Sequence, residues 1–314
     1  MAAAAPNAAR REDICHGVRR FGRSTIPPVD INNINHVGMA VRDLAATTAR
    51  YERMGFQLTP YSPHSAAWKP GDPVQPLGSG NRCIMFENTY LEILASEDAS
   101  RPAPRITNFL KHHQGAHIIC FDSGDCAFVD RRVRGLGIET SGVIPLQRDI
   151  DTPDGVRTAK FERSQFAPND SPEGYIQATR HLTPQYIYQP RYIRHANGCF
   201  QLAETILVVD DMAKFERRYR TYLNIDPERD AHGVRFRLPL GTTLSLIDLQ
   251  HAPALLPGTL FPPIPGIAAV GFRTSDLKGT KDRLKANGFT VIETGNRILV
   301  PAEEASGVAV TFGD

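Results

Sequence analysis

The chain has 314 residues, 41% hydrophobic and 22% charged, with a formal net charge of +2. This is the balance of a folded globular protein of two ordinary domains or one large one. So small a net charge excludes a general pull toward nucleic acid or membrane, and no apolar run reaches the roughly 18 residues of a transmembrane helix.

Residues 1–30 read as a disordered tail. "MAAAAPNAARREDICHGVRRFGR" sets five arginines against two acids and lacks the Ser-rich, acid-free character of a transit peptide. The stretch "INHVGMAVRDLAATTARYERMGF" (34–56) follows. It opens as an alternating apolar strand and continues as an amphipathic helix over 43–54. Asp43 is placed to accept from the free amides of the first turn, and Gly55 to end the helix. Further strands are expected at "FQLTPYS", "NRCIMFE" and "TYLEILA".

A looser copy begins at "GAHIICFDSGDCAFVDRRVRGLGIE" (115–139), with strands at "TAKFERSQF" and "YIQAT". A third copy, "AETILVVDDMAKFERRYRTYLN", lies on the first after a shift of 168 positions, and "VRFRLPL" and "TLSLIDL" follow it. The fourth, "IAAVGFRTSDLKGTKDRLKANGF" (267–289), matches after a shift of 233 and precedes "TVIET", "RILVPA" and "VAVTF". The repeating unit is βαβββ, with units near 34–95, 115–180, 203–250 and 266–314. Residues 31–180 then form one domain, 181–198 a linker, and 199–314 a second domain. A Pro-rich segment (251–266) joins units three and four. The five cysteines are scattered and form no CxxC pair, which suits reduced thiols in a cytoplasmic enzyme.

The repeat "NHVGMAVRDL…YERMGF", with "NRCIMFENTYLEIL" after it, resembles the vicinal oxygen chelate superfamily. That group includes glyoxalase I, methylmalonyl-CoA epimerase, extradiol dioxygenases and bleomycin-resistance proteins. "HLTPQYIYQPRYIRHANG" is similar to the linker of its glyoxalase-like branch. The resemblance implies an α+β fold of four βαβββ modules, paired into two curved mixed sheets that each form a cup.

The resemblance also implies metal ligands on the first and last strands of paired units. These positions fall on His36, His117 and Glu92, with Gln177 or His181 as the fourth. In the second half they fall on Glu204 and Ala269, which makes that half a degenerate copy retained for packing and pocket shape. A strand histidine taken alone is ordinarily a satisfied core or edge residue, and Glu92 alone a solvent-facing glutamate. Their coincidence at repeat-equivalent positions is what favours a metal.

One divalent ion (Zn, Ni, Mn, Mg or Fe(II)) is the expected cofactor. The expected partner is a small-molecule substrate, with a second copy of the chain as a further one in a homodimer. Three activities compete. The first is a glyoxalase- or epimerase-like isomerase or lyase in which Glu92 moves a proton on a metal-polarised carbonyl compound. The second is an Fe(II) ring-cleaving dioxygenase. The third is a resistance protein that binds a small molecule without chemistry.

Overall fold

The computed structural model describes residues 30–66, 73 and 75–314. The tail expected over residues 1–30 lies, except for Asp30, outside the described residues. The first half runs β1 (Ile31–Ala40), α1 (Leu44–Arg53), β2 (Ser62–Ala66), β3 (Gln75–Met85), β4 (Tyr90–Ser96), α2 (Pro104–His112), β5 (Gly115–Ser123), α3 (Cys126–Gly135), β6 (Ile144–Thr152), β7 (Gly155–Gln165) and β8 (Tyr175–His181). A short helix, α4 (Pro184–Ile187), lies in the connection to the second half. There β9 (Cys199–Val209), α5 (Met212–Leu223), β10 (Glu228–Arg229), β11 (Gly233–Arg237), β12 (Thr243–Asp248) and α6 (Ala252–Leu255) are followed by β13 (Gly266–Thr274), α7 (Leu277–Ala286), β14 (Ile292–Thr294), β15 (Arg297–Val300) and β16 (Ala309–Gly313).

The four long module helices start alike. Asp43, Asp125, Asp211 and Asp276 each accept from a backbone N–H three residues on, at 2.8, 3.0, 2.9 and 2.8 Å. Each cap satisfies an otherwise orphaned donor and is worth about 1 kcal/mol. The four caps fix where every first strand must turn into its helix, and so fix the register of the repeat.

Two eight-stranded mixed sheets result, ordered β2-β3-β4-β1-β5-β8-β7-β6 and β10-β11-β12-β9-β13-β16-β15-β14. In the first, β1 and β5 run antiparallel at the centre, and each is flanked by the parallel last strand of its own module. The second sheet repeats this with β9 and β13. The fold is thus α+β, with each sheet curved into a cup. In the first sheet the edge strands β2 and β6 approach one another, which nearly closes that cup.

The convex faces of both sheets and the helices α1, α3, α5 and α7 share one apolar core, including Tyr51, Val129, Tyr219 and Leu284. Phe56 and Phe272 meet across it, ring centroids 4.8 Å apart. Buried polar ties reinforce the join. Glu173, with a side chain 0% exposed, takes Arg218 at 2.9 Å, and Tyr51 donates to the Ala305 carbonyl at 3.1 Å. At one point backbone meets backbone: a Cβ on Gly115 would sit 2.3 Å from the Gly307 carbonyl oxygen, and both residues have positive φ.

Two elements go beyond the sequence reading. Helix α2 lies between the first two modules, started by Pro104 at its first turn, where a missing N–H costs nothing. Strand β6 forms from "IPLQRDIDT", whose charged alternate positions mask its period.

Candidate active site in the N-terminal cup

Strand alternation sends Val37 and Met39 to the helix side and leaves His36, Gly38 and Ala40 for the concave face. Register then identifies equivalent positions. Counting from the capping residues Asp43 and Asp125, the counterpart of His36 on β5 is Ile118, and Gly38 corresponds to Cys120. Gly38 pairs with Glu92 on β4, and Cys120 with Gln177 on β8, so Glu92 and Gln177 correspond. The four equivalent concave positions are His36, Glu92, Ile118 and Gln177. Ile118 fills the space above residue 38, where a Cβ would meet it at 2.9 Å, and this accounts for the glycine there.

His36 is held by its neighbours. Asn35 donates its amide N–H groups to Asp122 at 3.2 Å and to the Tyr188 hydroxyl at 3.0 Å. Its carbonyl oxygen, 2.7 Å from His36 Nδ1, is left to accept. The proton therefore sits on Nδ1, and the Nε2 lone pair is free. Nε2 lies 3.9 Å from Glu92 Oε2, and the ring stacks on Tyr90 at 4.3 Å. Burial lowers the imidazole pKa well below its ordinary value, and His181 and Arg148 push it the same way, so the ring is neutral near pH 7. Glu92 accepts from Asn81 at 2.5 Å. Burial raises its pKa, opposed by Arg148, the Asn81 bond and Arg105. Two electron-pair donors thus face one another across a gap that admits one atom.

The other expected site residues divide. Gln177 is at the floor, its Nε2 2.6 Å from Cys120 Sγ and its Oε1 buried without a partner. His181 lies higher in the same cup, ring to ring with Tyr188 at 5.5 Å and edge-on to Phe161 at 5.0 Å. Its pKa is lowered to about 3 by burial and by Arg148. His117 goes elsewhere. Gly38 pairs with Ile118 and Met39 with Ala116, so His117 is the unpaired residue of a β-bulge. Its ring stacks between Phe109 (4.6 Å) and His113 (4.0 Å) of the α2 segment, and its Nε2 bonds the His113 carbonyl at 3.0 Å.

Comparison with known proteins follows this geometry. The profile of the glyoxalase-like domain family matches residues 34–223, more than half of the chain. The chain belongs to the glyoxalase-like family. No curated protein matches it by sequence. Among solved structures, a hypothetical protein from Staphylococcus aureus is similar at TM-score 0.60 and 12% identity, over 89% of this chain and 98% of that one. A mutant 4-hydroxymandelate synthase from Streptomyces coelicolor is similar at TM-score 0.56 and 11% identity, over 90% and 92%. An Mn(II)-bound glyoxalase from Novosphingobium aromaticivorans gives TM-score 0.51 and 11% identity, over 90% and 82%. At these identities the likeness is one of fold.

In this glyoxalase-like chain the donor set expected for a divalent ion is incomplete. Among the described residues no three His, Cys, Asp or Glu side chains are arranged to hold a metal. His36 and Glu92 converge, and the Gln177 carboxamide lies on the same floor, but Ile118 stands where a second imidazole would close the set. Catalytic zinc sites use three protein ligands; here His36 and Glu92 are two donors, and Gln177 Oε1, buried without a partner, is the third on the same floor.

Sequence reasoning overlooked Arg105, Arg148 and His64. Arg148 lies over the Phe161 ring at 5.5 Å, and its charge lowers the pKa of His36, His181 and, together with Arg105, of His64. Its signal was available: in "VIPLQRDID" it shares the strand face of Ile144, Leu146 and Ile150, the same oddity that marks His36. Arg105 carried none, because α2 itself went unread. His195, set in the linker turn, is a fastener. Its Nδ1 accepts from the Gln57 N–H at 3.0 Å, and its Nε2 bonds the Met85 carbonyl at 2.9 Å.

Proposed function

We propose that the N-terminal cup is the active site of an enzyme that moves a proton on a small carbonyl or hydroxyl compound, in the manner of a glyoxalase- or epimerase-like isomerase or lyase. The observation that carries this is the pairing of Glu92 with the free lone pair of His36 Nε2, 3.9 Å apart on a buried floor. In this reading Glu92 takes a proton from the carbon next to the substrate carbonyl. Electron density moves onto the carbonyl oxygen, where the Arg148 charge stabilises it. Glu92 then returns the proton, and His36 Nε2 accepts from a substrate hydroxyl. Asn81 and Asn35 hold the two groups in place. A divalent ion in this cup would meet His36, Glu92 and the Gln177 carbonyl, and would supply further polarisation of the oxygen. No step above passes through it.

The ring-cleaving alternative calls for two imidazoles and a carboxylate, and among the described residues one imidazole, that of His36, stands beside Glu92. The test is exchange of carbon-bound hydrogen. A panel of small 2-hydroxy- and 2-oxo-carbonyl compounds in D2O, followed by proton NMR, is expected to show enzyme-dependent loss of one C–H signal. Glu92→Gln is expected to abolish that loss while leaving the circular dichroism spectrum unchanged. Unaltered exchange in Glu92→Gln would remove Glu92 from this role.

A further inference from the structure

Three guanidinium groups converge on the N-terminal cup, and none has a carboxylate partner among the described residues. Arg148 comes from β6 and lies over Phe161 at 5.5 Å. Arg163, on β7, lies near the Tyr175 ring at 5.6 Å and donates to its hydroxyl. Arg105, on α2, lies over the same ring at 4.7 Å. The Nε atoms of Arg148 and Arg163 are buried with no hydrogen-bond partner. A cation–π contact is worth about 0.5–2 kcal/mol and does not replace a counter-charge for the partly desolvated guanidinium groups of Arg148 and Arg163; Arg105 is exposed and stands at the rim.

Several arginines elsewhere have carboxylate partners. In the C-terminal cup, Arg297 pairs with Glu204, Arg235 with Asp230 at 2.6 Å, and Arg237 with Glu228 at 2.7 Å. Between the halves, Arg218 has both Glu173 and Asp170. Other arginines, such as Arg42, Arg82 and Arg273, also bond only neutral groups; what marks the trio is that its members gather at one cup, with two buried Nε atoms left without a partner. Two of its charges, from Arg148 and Arg105, reach Glu92, and those of Arg163 and Arg105 reach Cys120 on the same floor, so the trio exceeds the one carboxylate it reaches by two positive charges.

We propose that Arg105, Arg148 and Arg163 form the binding site for a small organic dianion, held through carboxylate or phosphate groups, in the cup whose floor carries His36 and Glu92. The planar fork of each guanidinium matches two oxygens of either group. Two negative charges neutralise the surplus. Tyr175 and Phe161, against which the guanidinium groups lie, and Tyr188, which packs with Phe161, offer apolar surface to a compact backbone between the charged ends. This assignment names the substrate class for the proton transfer proposed above and rests on that reading for its catalytic meaning; the binding itself is measured separately.

The experiment titrates the full chain, freed of metal with EDTA, with malonate, inorganic phosphate and neutral malonamide by isothermal calorimetry. Saturable binding of malonate or phosphate is expected, weakening with added salt, with none for malonamide. Malonate alone would mark a dicarboxylate-like ligand, and phosphate alone a phosphorylated one. Arg148→Ala and Arg105→Ala are each expected to weaken the anion about ten- to a hundredfold, as loss of a charge-assisted bond does. Arg148→Lys is expected to recover only part, and it serves where the alanine variant fails to fold. Glu92→Gln is expected to bind the anion at least as tightly as the parent, so a failed proton-transfer reading leaves this result standing. Binding of malonamide equal to malonate, no saturable binding of either anion, or unchanged affinity in both alanine variants would overturn the assignment.

Discussion

The two cups are built from the same module pairing and hold different chemistry at equivalent positions. Where the first has His36, Glu92, Ile118 and Gln177, the second has Glu204, Ser245, Ala269 and Thr311. The first is covered: α2 packs Ile106, Phe109 and Leu110 onto its floor, and the linker adds Ile187, Tyr186 and Tyr188. The second contains a cavity of about 700 Å³, bordered by Glu204, Arg235 and Arg297. Its floor is internally neutralised, since Glu204 accepts from Ser245 at 2.5 Å and pairs with Arg297. The difference teaches that charge balance, more than cavity size, separates a poised cup from a self-satisfied one. A carboxylate whose two oxygens are already engaged has little left for a ligand.

The sharpest way to break the comparison is to remove the floor carboxylate from each cup. Glu92→Gln is expected to lower turnover by about 10²–10⁴-fold, the usual range for a lost general base. Glu204→Gln is expected to leave turnover within about twofold and to cost only stability, because it strands Arg297, whose side chain is 44% exposed and can find water. Steady-state kinetics of both variants decide it. Equal losses would mean that the cups work together.

A second substitution sharpens it from the other side. Ile118→His places an imidazole at the counterpart of His36 and would complete two imidazoles and a carboxylate. Stoichiometric zinc or nickel after dialysis, measured by atomic emission, is the expected gain over the parent. A variant that retains no more metal than the parent would show that the floor geometry, and not the missing donor, sets the limit.

How much of this was legible follows from what repeats. The βαβββ unit was readable because its caps and periodicity recur: Asp43, Asp125, Asp211 and Asp276 mark each module. Glu92 was readable, and Gln177 as one of two alternatives with His181, because their strands pair in regular register. His117 was placed at the position of His36 by matching imidazole to imidazole; His117 in fact answers Asn35, each the unpaired residue of equivalent bulges on β5 and β1. The capping aspartates carry the correct count, one residue different, and they point to Ile118. The arginine trio could not be read as a set, since its members come from a helix and two strands that meet only through closure of the sheet.

Acid should separate the two halves further. His64, His117 and His181 have pKa values lowered from 6.5 to about 3, 4 and 3, chiefly by burial. The unfolded chain takes up protons as pH falls below 6.5, while the folded chain resists until about 3 to 4. Stability is therefore present above pH 6.5 and is lost progressively as pH falls toward those values. His117 alone accounts for on the order of 2 kcal/mol between pH 7 and pH 5. Urea midpoints measured at both values are expected to fall with pH, and amide exchange to open first in the N-terminal sheet. A midpoint that does not change would contradict the buried, neutral state of these rings.

The smallest effect concerns His117 itself, and it distinguishes packing from chemistry within one cup. His36→Ala removes the Nε2 lone pair opposite Glu92 and is expected to cost turnover. His117→Ala removes a ring stacked between Phe109 and His113 and its bond to the His113 carbonyl. That loss is expected to cost about 1–2 kcal/mol of stability and to leave turnover within about twofold, because the bulge turns the side chain toward α2. The variant should also lose part of the acid sensitivity, since the unfolded chain no longer has that imidazole to protonate. A His117→Ala protein that unfolds less steeply with acid but turns over normally fits a fastener for α2. One that loses turnover with its urea midpoint unchanged would return His117 to the reacting centre.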